Sequence, residues 1–231
     1  ATPRHTSLPL ALSKGDHIAF IGNTLLERSG LFGWFESMLH AKFPEHQLSV
    51  RNLAWSADTP DLQPRPDNFA DLEQHLYRER TDVIFAAFGF NESFAGQKGL
   101  GDFRRSLDTY LNKLQTLAFS GQKGPSIVLV SPIACENIAG VAASDMHLKR
   151  LMAYNKVMRE VAQRRQVGFA DMLTRSQPWL SDPDSDLTIN GIHLTEQGYR
   201  LFSRDLFDAV FNELPPDFPD VLRMAVMDKN R

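Results

Sequence analysis

Apolar residues fall along this chain in short, nearly unbroken runs, separated by longer stretches in which they recur every three to four positions. The runs "HIAFIG" (17–22), "LSVRNLA" (48–54), "DVIFAAFGF" (82–90), "SIVLVSPI" (126–133) and "VGFADM" (167–172) read as strands. Several are apolar almost throughout, as expected of strands covered on both faces. Between them Phe103, Leu107, Tyr110, Leu111, Leu114, Leu117 and Ala118 keep helical spacing and predict one amphipathic helix. Leu148, Leu151, Met152, Met158, Val161 and Ala162 predict a second, its stripe interrupted by Asn155. Shorter helices are expected over 31–39 and 72–76. A last one should start at Thr195, whose hydroxyl can cap it, and run to about Phe211. Strands alternating with helices predict βα units, and so an α/β fold: a three-layer α/β/α sandwich around a parallel sheet of about five strands.

The stretch "LPPDFPD" (214–220) breaks the pattern, and "VLRMAVMDKNR" after it starts another helix. The expected division is an N-terminal extension over 1–14, one domain over 15–212 and a C-terminal extension over 213–231 that would continue in a longer parent. The loops "SADTPDLQPRPDN" (56–68) and "NESFAGQKGLG" (91–101) are the longest and most polar. Ligands of open α/β sheets sit at the carboxyl ends of the strands, so chemistry should gather in these loops.

Composition narrows the partners. Among 231 residues, 25 basic side chains against 28 acidic ones give a net charge of -3, too little positive field to hold a phosphate backbone. No apolar run approaches the roughly 20 residues needed to cross a bilayer. Cys135 is the single cysteine, which rules out an internal disulfide. Asp58, Asp61, His75, Asp145 and His147 match no ligand spacing, so neither a metal nor another cofactor is expected. The glycines of "GQKGLG" lack the Lys-Ser/Thr pair of a phosphate loop.

Four short segments stand directly after predicted strands or just before the last helix: "GNTLLER", "NLAWSADT", "GFNES" and "NGIHLTEQGY". Singly, a Thr after Gly is a helix cap, an Asn a turn residue and a His polar surface. In this order they resemble the four blocks of the SGNH or GDSL hydrolase superfamily, which supply a Ser nucleophile, a Gly, an Asn and a His. "FIGNT" matches the first block at Phe20 and Gly22, with Asn23 in place of Asp and Thr24 in place of Ser. "SADT" puts Ala57 where the family has glycine. Asn91 of "GFNE" keeps the oxyanion Asn, with Glu92 after it. "NGIH" keeps His193 but has Asn190 in place of Asp.

The resemblance implies an ester hydrolase acting on small O-acyl groups, such as acetyl on a carbohydrate. Thr24 would be its nucleophile, His193 its base and Asn190 the group orienting the base. The oxyanion would be met by Thr24, Ala57 and Asn91, and substrate by Asn23, Trp55, Phe90 and Glu92. Ser56 is the alternative nucleophile, and Asp186 or Glu92 the alternative orienting carboxylate. The other class open to such a chain is a non-catalytic module that binds a carbohydrate or a neighbouring domain. "FGFNESFAG", "INGIHL" and "LRMAVMDKN" look like an SGNH-type module of large bacterial proteins that also carry cytochrome-type haem domains. That likeness implies export to the periplasm or beyond, with which a chain beginning at Ala is compatible.

Overall fold

The computed structural model describes residues 2–121, 123–136, 144–182 and 184–231. Five parallel strands, β1 (His17–Gly22), β2 (Ser49–Asn52), β3 (Val83–Ala87), β4 (Ser126–Val130) and β5 (Gly168–Ala170), form one sheet in the order β2-β1-β3-β4-β5. Phe20 pairs with Phe85, and Phe85 with Val128, across its centre. Successive residues of β3 and the Phe88 that follows it belong to opposite layers. Val83, Phe85 and Ala87 join one apolar cluster, while Ile84, Ala86 and Phe88 join the other. Burial of both faces is why these strands read as continuous apolar runs rather than alternating ones.

Helices α1 (Thr24–Phe32), α2 (Trp34–Lys42), α3 (Leu72–Arg78), α4 (Gly96–Thr116), α5 (Ser144–Arg165), α6 (Met172–Leu180), α7 (Glu196–Phe211) and α8 (Asp220–Lys229) complete the chain. The α4 stripe Phe103, Leu107, Leu111 and Leu114 is buried, as are Tyr199, Phe202, Leu206 and Val210 of α7. Thr195 caps α7 by accepting from Gly198 N at 3.3 Å, the cap expected from the sequence. The three-layer α/β/α architecture with five parallel strands is as expected.

Several boundaries differ from the periodicity reading. The segment 91–101 is not a loop: a short 3-10 turn at Glu92–Ala95 leads directly into α4 at Gly96. Gly99 serves packing there, since a Cβ on it would come within 2.5 Å of the Tyr154 hydroxyl. The helix expected over 31–39 is two helices meeting at Gly33, whose φ of 64° ends one and opens the other. The fifth strand stops at Ala170, and Met172 already starts α6, capped by Asp171. Asn155 interrupts the α5 stripe because its amide bonds the Asp171 carboxylate at 3.1 Å. Both flanks of 15–212 pack onto the domain: Thr6 Oγ1 accepts from Ile127 N at 3.0 Å, and α8 lies against α1 and α2.

Candidate active site

The first strand delivers its side chains to the site in one step. Gly22 closes β1 and Thr24 opens α1, with Asn23 between them as N-cap, its side chain accepting from Leu25 N at 3.2 Å. Asn23 N donates to Ala87 O at 3.1 Å, pulling this turn over the end of β3. A Cβ on Gly22 would lie 2.0 Å from Ala87 O, so only glycine allows that approach. The Thr24 N–H is one of the unpaired donors of a helix N-terminus.

Asn52, at the end of β2, ties the second loop to α1. Its Nδ2 donates to Leu26 O at 2.7 Å and Glu27 O at 3.2 Å, while its Oδ1 accepts from Ala54 N at 3.1 Å. The loop thereby brings Ser56 to Thr24, whose Oγ1 donates to Ser56 Oγ at 3.3 Å. Ser56 in turn donates a short hydrogen bond to Glu27 Oε2. Ala57 follows at φ 67°, the left-handed region that favours glycine. Asp58 is fully buried and bidentate to Arg65, both bonds being 2.8 Å. Its carbonyl accepts weakly from Asn91 Nδ2 at 3.5 Å.

The histidine comes from the loop before α7, and a buried carboxylate that periodicity did not reveal holds that loop. Glu136 accepts from Ser185 Oγ at 2.6 Å, Leu187 N at 2.8 Å and Thr188 N at 3.0 Å, and from the Thr188 hydroxyl. Its own N–H donates to Gly191 O at 2.9 Å. Burial alone would raise the Glu136 carboxyl, but the Ser185, Thr188 and Leu187 donors outweigh it and hold it below the usual range. A Glu six residues beyond a strand carries no local signal of this role, because its partners lie about fifty residues downstream.

Asn190 solves the orientation of His193 locally. Its Oδ1 accepts from Ile192 N at 3.3 Å and from His193 N at 3.0 Å, and it faces His193 Nδ1 at 3.1 Å. Two N–H groups converge on that atom, so it is the amide oxygen, and Nδ1 must carry the ring proton. Nε2 keeps the lone pair. Burial, and then the Arg28 guanidinium, hold His193 below the ordinary imidazole range, so it is neutral at pH 7. Neither alternative carboxylate orients it: Glu92 accepts from Gly89 N at 2.8 Å, and Asp186 is exposed with no bond to the ring.

A cavity of about 230 Å³ is walled by Asn23, Thr24, Phe90, Asn91, His193 and Tyr199, with Pro132, Ile133 and Ile192 adding apolar surface. On the other side of Thr24 and His193 lies a second, more polar groove of about 440 Å³, lined by Glu27, Arg28, Ser56 and Asn190. The fold thus brings Thr24, Asn91 and His193 to one cavity. Asn190 and Ser56 lie in the adjoining groove. Ala57, Trp55 and Glu92 line neither space. Trp55 instead carries the Arg65 guanidinium 4.8 Å over its ring and packs on Phe69. Glu92 is half-buried beside Gly89, and burial pushes its carboxyl up to about 7. Of the residues weighed as metal ligands, Asp58 is committed to Arg65, and His147 stacks on Phe90 and Phe94. His75 packs on Phe69, and the Asp145 side chain lies outside the described residues. Among the described residues no three His, Cys, Asp or Glu side chains cluster as a metal site. No helix there is long and apolar enough to cross a membrane.

The chain is similar to known proteins in family and in fold. The model of the GDSL-like lipase/acylhydrolase family matches residues 15–201. An acetylxylan esterase from Geobacillus stearothermophilus superposes with a TM-score of 0.68, at 17% identity over 90% of this chain and 100% of that one. An α/β hydrolase named LAE5, from the metagenome of Lake Arreo in Spain, superposes with a TM-score of 0.66, at 17% identity over 86% of this chain and 96% of that one. At such identity these likenesses speak for the fold. No curated protein matches the sequence.

Proposed function

This chain belongs to the GDSL-like lipase/acylhydrolase family, and from that premise we propose that it hydrolyses esters of small acyl groups, acetyl on a carbohydrate foremost. The observation carrying this reading is the meeting of Thr24, Asn91 and His193 on one small, mainly apolar cavity. In the proposed reaction Thr24 Oγ1 attacks the acyl carbon. The neutral His193 Nε2 serves as base, its tautomer fixed by Asn190 Oδ1. Asn91 Nδ2 and the Thr24 N–H meet the developing oxyanion, with Ala57 N–H as a third donor if the loop tightens around substrate.

The two spaces flanking Thr24 support a division of the substrate. The acyl group enters the 230 Å³ cavity, whose walls are mainly apolar. The alcohol lies in the polar groove, where Arg28 and Asn190 can donate and Glu27 can accept hydrogen bonds from hydroxyls. A fold shared with an acetylxylan esterase agrees with a sugar alcohol there.

A second reading has its own observation. The Thr24 hydroxyl donates to Ser56 and not to His193, which favours a module that binds an acylated carbohydrate without turning it over. We also propose that the protein is exported and joined to further domains. Incubating the purified chain with p-nitrophenyl acetate and acetylated xylo-oligosaccharides, beside Thr24→Ala and His193→Ala, separates the two functions. Hydrolysis reduced at least about 10³-fold in Thr24→Ala is expected of the enzyme. Equal background rates in all three proteins, with sugar binding retained, would establish the module.

A further inference from the structure

Proton transfer from a nucleophilic hydroxyl needs an acceptor in hydrogen-bond contact, and here that contact leads away from the histidine. Thr24 Oγ1 donates to Ser56 Oγ at 3.3 Å, and Ser56 Oγ donates to Glu27 Oε2 in a short bond. Among the described residues no hydrogen bond joins Thr24 Oγ1 to His193. The chain of hydroxyls therefore ends on a carboxylate, which takes no other hydrogen bond there. Three features build it. Glu27 lies three residues after Thr24 on the same face of α1. Asn52 pins the Ser56 loop to the backbone of that same turn. All three side chains line the 440 Å³ groove that flanks the reacting hydroxyl.

Resting on the hydrolase reading above, we propose that Ser56 and Glu27 form a second proton path for Thr24, parallel to His193. As Thr24 Oγ1 bonds to the acyl carbon, its proton passes to Ser56 Oγ while the Ser56 proton passes to Glu27 Oε2. When the tetrahedral intermediate collapses, the bond to the leaving oxygen breaks and that oxygen takes a proton back along the same path. The acyl-threonine, the free alcohol and an ionised Glu27 remain, so the step balances without another reactant. His193 Nε2 is then free to draw a proton from the water that releases the acyl group. The leaving alcohol occupies the groove that Glu27 lines, which puts the returning proton on the correct side of Thr24. The charged or titratable groups lining this groove beside Glu27 are Arg28 on α1 and His193 from the loop before α7; Tyr199 of α7 lines the acyl cavity instead and couples to Glu27 electrostatically.

The test compares wild type with Glu27→Gln, Glu27→Asp, Ser56→Ala and His193→Ala in two measurements. One is the pH profile of p-nitrophenyl acetate hydrolysis. The other is the rate at which a p-nitrophenyl phosphonate labels Thr24, read by peptide mass spectrometry. Glu27→Gln and Ser56→Ala should each lose about 10²-fold in kcat with KM little changed, and the pair together should lose no more than either alone. Glu27→Asp should recover part of the loss, and His193→Ala should keep a residual rate that adding Glu27→Gln abolishes. Circular dichroism on each variant identifies any that fails to fold. Hydrolysis that stays within twofold of wild type in both Glu27→Gln and Ser56→Ala overturns the relay and leaves the hydrolase reading intact. Labelling that depends on Glu27 and Ser56, without ester turnover, upholds the relay and overturns the hydrolase. Absence of both activities in wild type overturns both.

Discussion

Two buried carboxylates anchor the two sides of the site, and they are neutralised differently. Asp58, beneath the Asn91 side, faces a guanidinium held by two 2.8 Å bonds. Glu136, beneath the histidine side, meets no cation among the described residues and is caged by two hydroxyls and two backbone N–H groups. An ion pair concentrates its stabilisation in one partner, so losing that partner strands a charge in the interior. A donor cage spreads it, so no single deletion exposes the whole cost. The first arrangement is stiff and brittle, the second tolerant of single losses but sensitive to the charge of the carboxylate.

The sharpest break of this contrast is Arg65→Met. It leaves Asp58 buried and uncompensated and should cost about 3–5 kcal/mol in urea unfolding, most of it regained in the Asp58→Asn/Arg65→Met pair. A loss below about 1 kcal/mol would mean that the pair is not what stiffens this side. Next in size is Glu92, a carboxylate neither paired nor caged, whose Oε1 is buried without a partner. Its pKa is raised from 4.5 to about 7 by burial, so the folded state holds the proton more tightly than the unfolded one. Stability should be fully present below about pH 4.5 and decline by at most about 3 kcal/mol as pH rises to about 7. Thermal melts of Glu92→Gln should lack that decline.

Glu136→Gln turns an amide NH2 toward groups that themselves donate and should cost about 2 kcal/mol. The sign of its pH dependence is opposite to that of Glu92. A lowered carboxyl stabilises above about pH 4.5 and loses that contribution as pH falls through its folded value, a slope the variant should lack. The smallest effect is Ala57→Gly, which removes a Cβ from a left-handed position and should stabilise by no more than about 1 kcal/mol, read in the same melts.

What the sequence made legible follows from the range of each interaction. The strands show because burial on both faces demands apolar runs, and the α7 cap shows because Thr195 and Gly198 are three residues apart. Thr24, Asn91 and His193 could be picked out by their places after strands or before the last helix. The hold on them could not. Glu136 is 52 residues from Thr188, and Ser56 is 29 from Glu27. Neither distance leaves a periodic trace. The identity of the Asn190 atom facing the ring also needed coordinates, because a sequence cannot say which end of an amide its neighbours select. Likewise the 91–101 stretch, rich in glycine and polar residues, reads as loop until Tyr154 is seen to need the space over Gly99.

The docking of α8 bears on how such a chain is assembled during synthesis. Lys229 reaches Glu36 Oε1 at 2.5 Å and Val50 O at 2.8 Å, Asn230 reaches Gly30 O at 3.3 Å, and Arg223 lies 4.2 Å over the Trp34 ring. The residues that cover the far end of the helix bearing Thr24 leave the ribosome some two hundred positions after it. Until they arrive, Glu36 stands near the interior without the Lys229 ammonium, and the nascent chain holds α1 and α2 half-dressed.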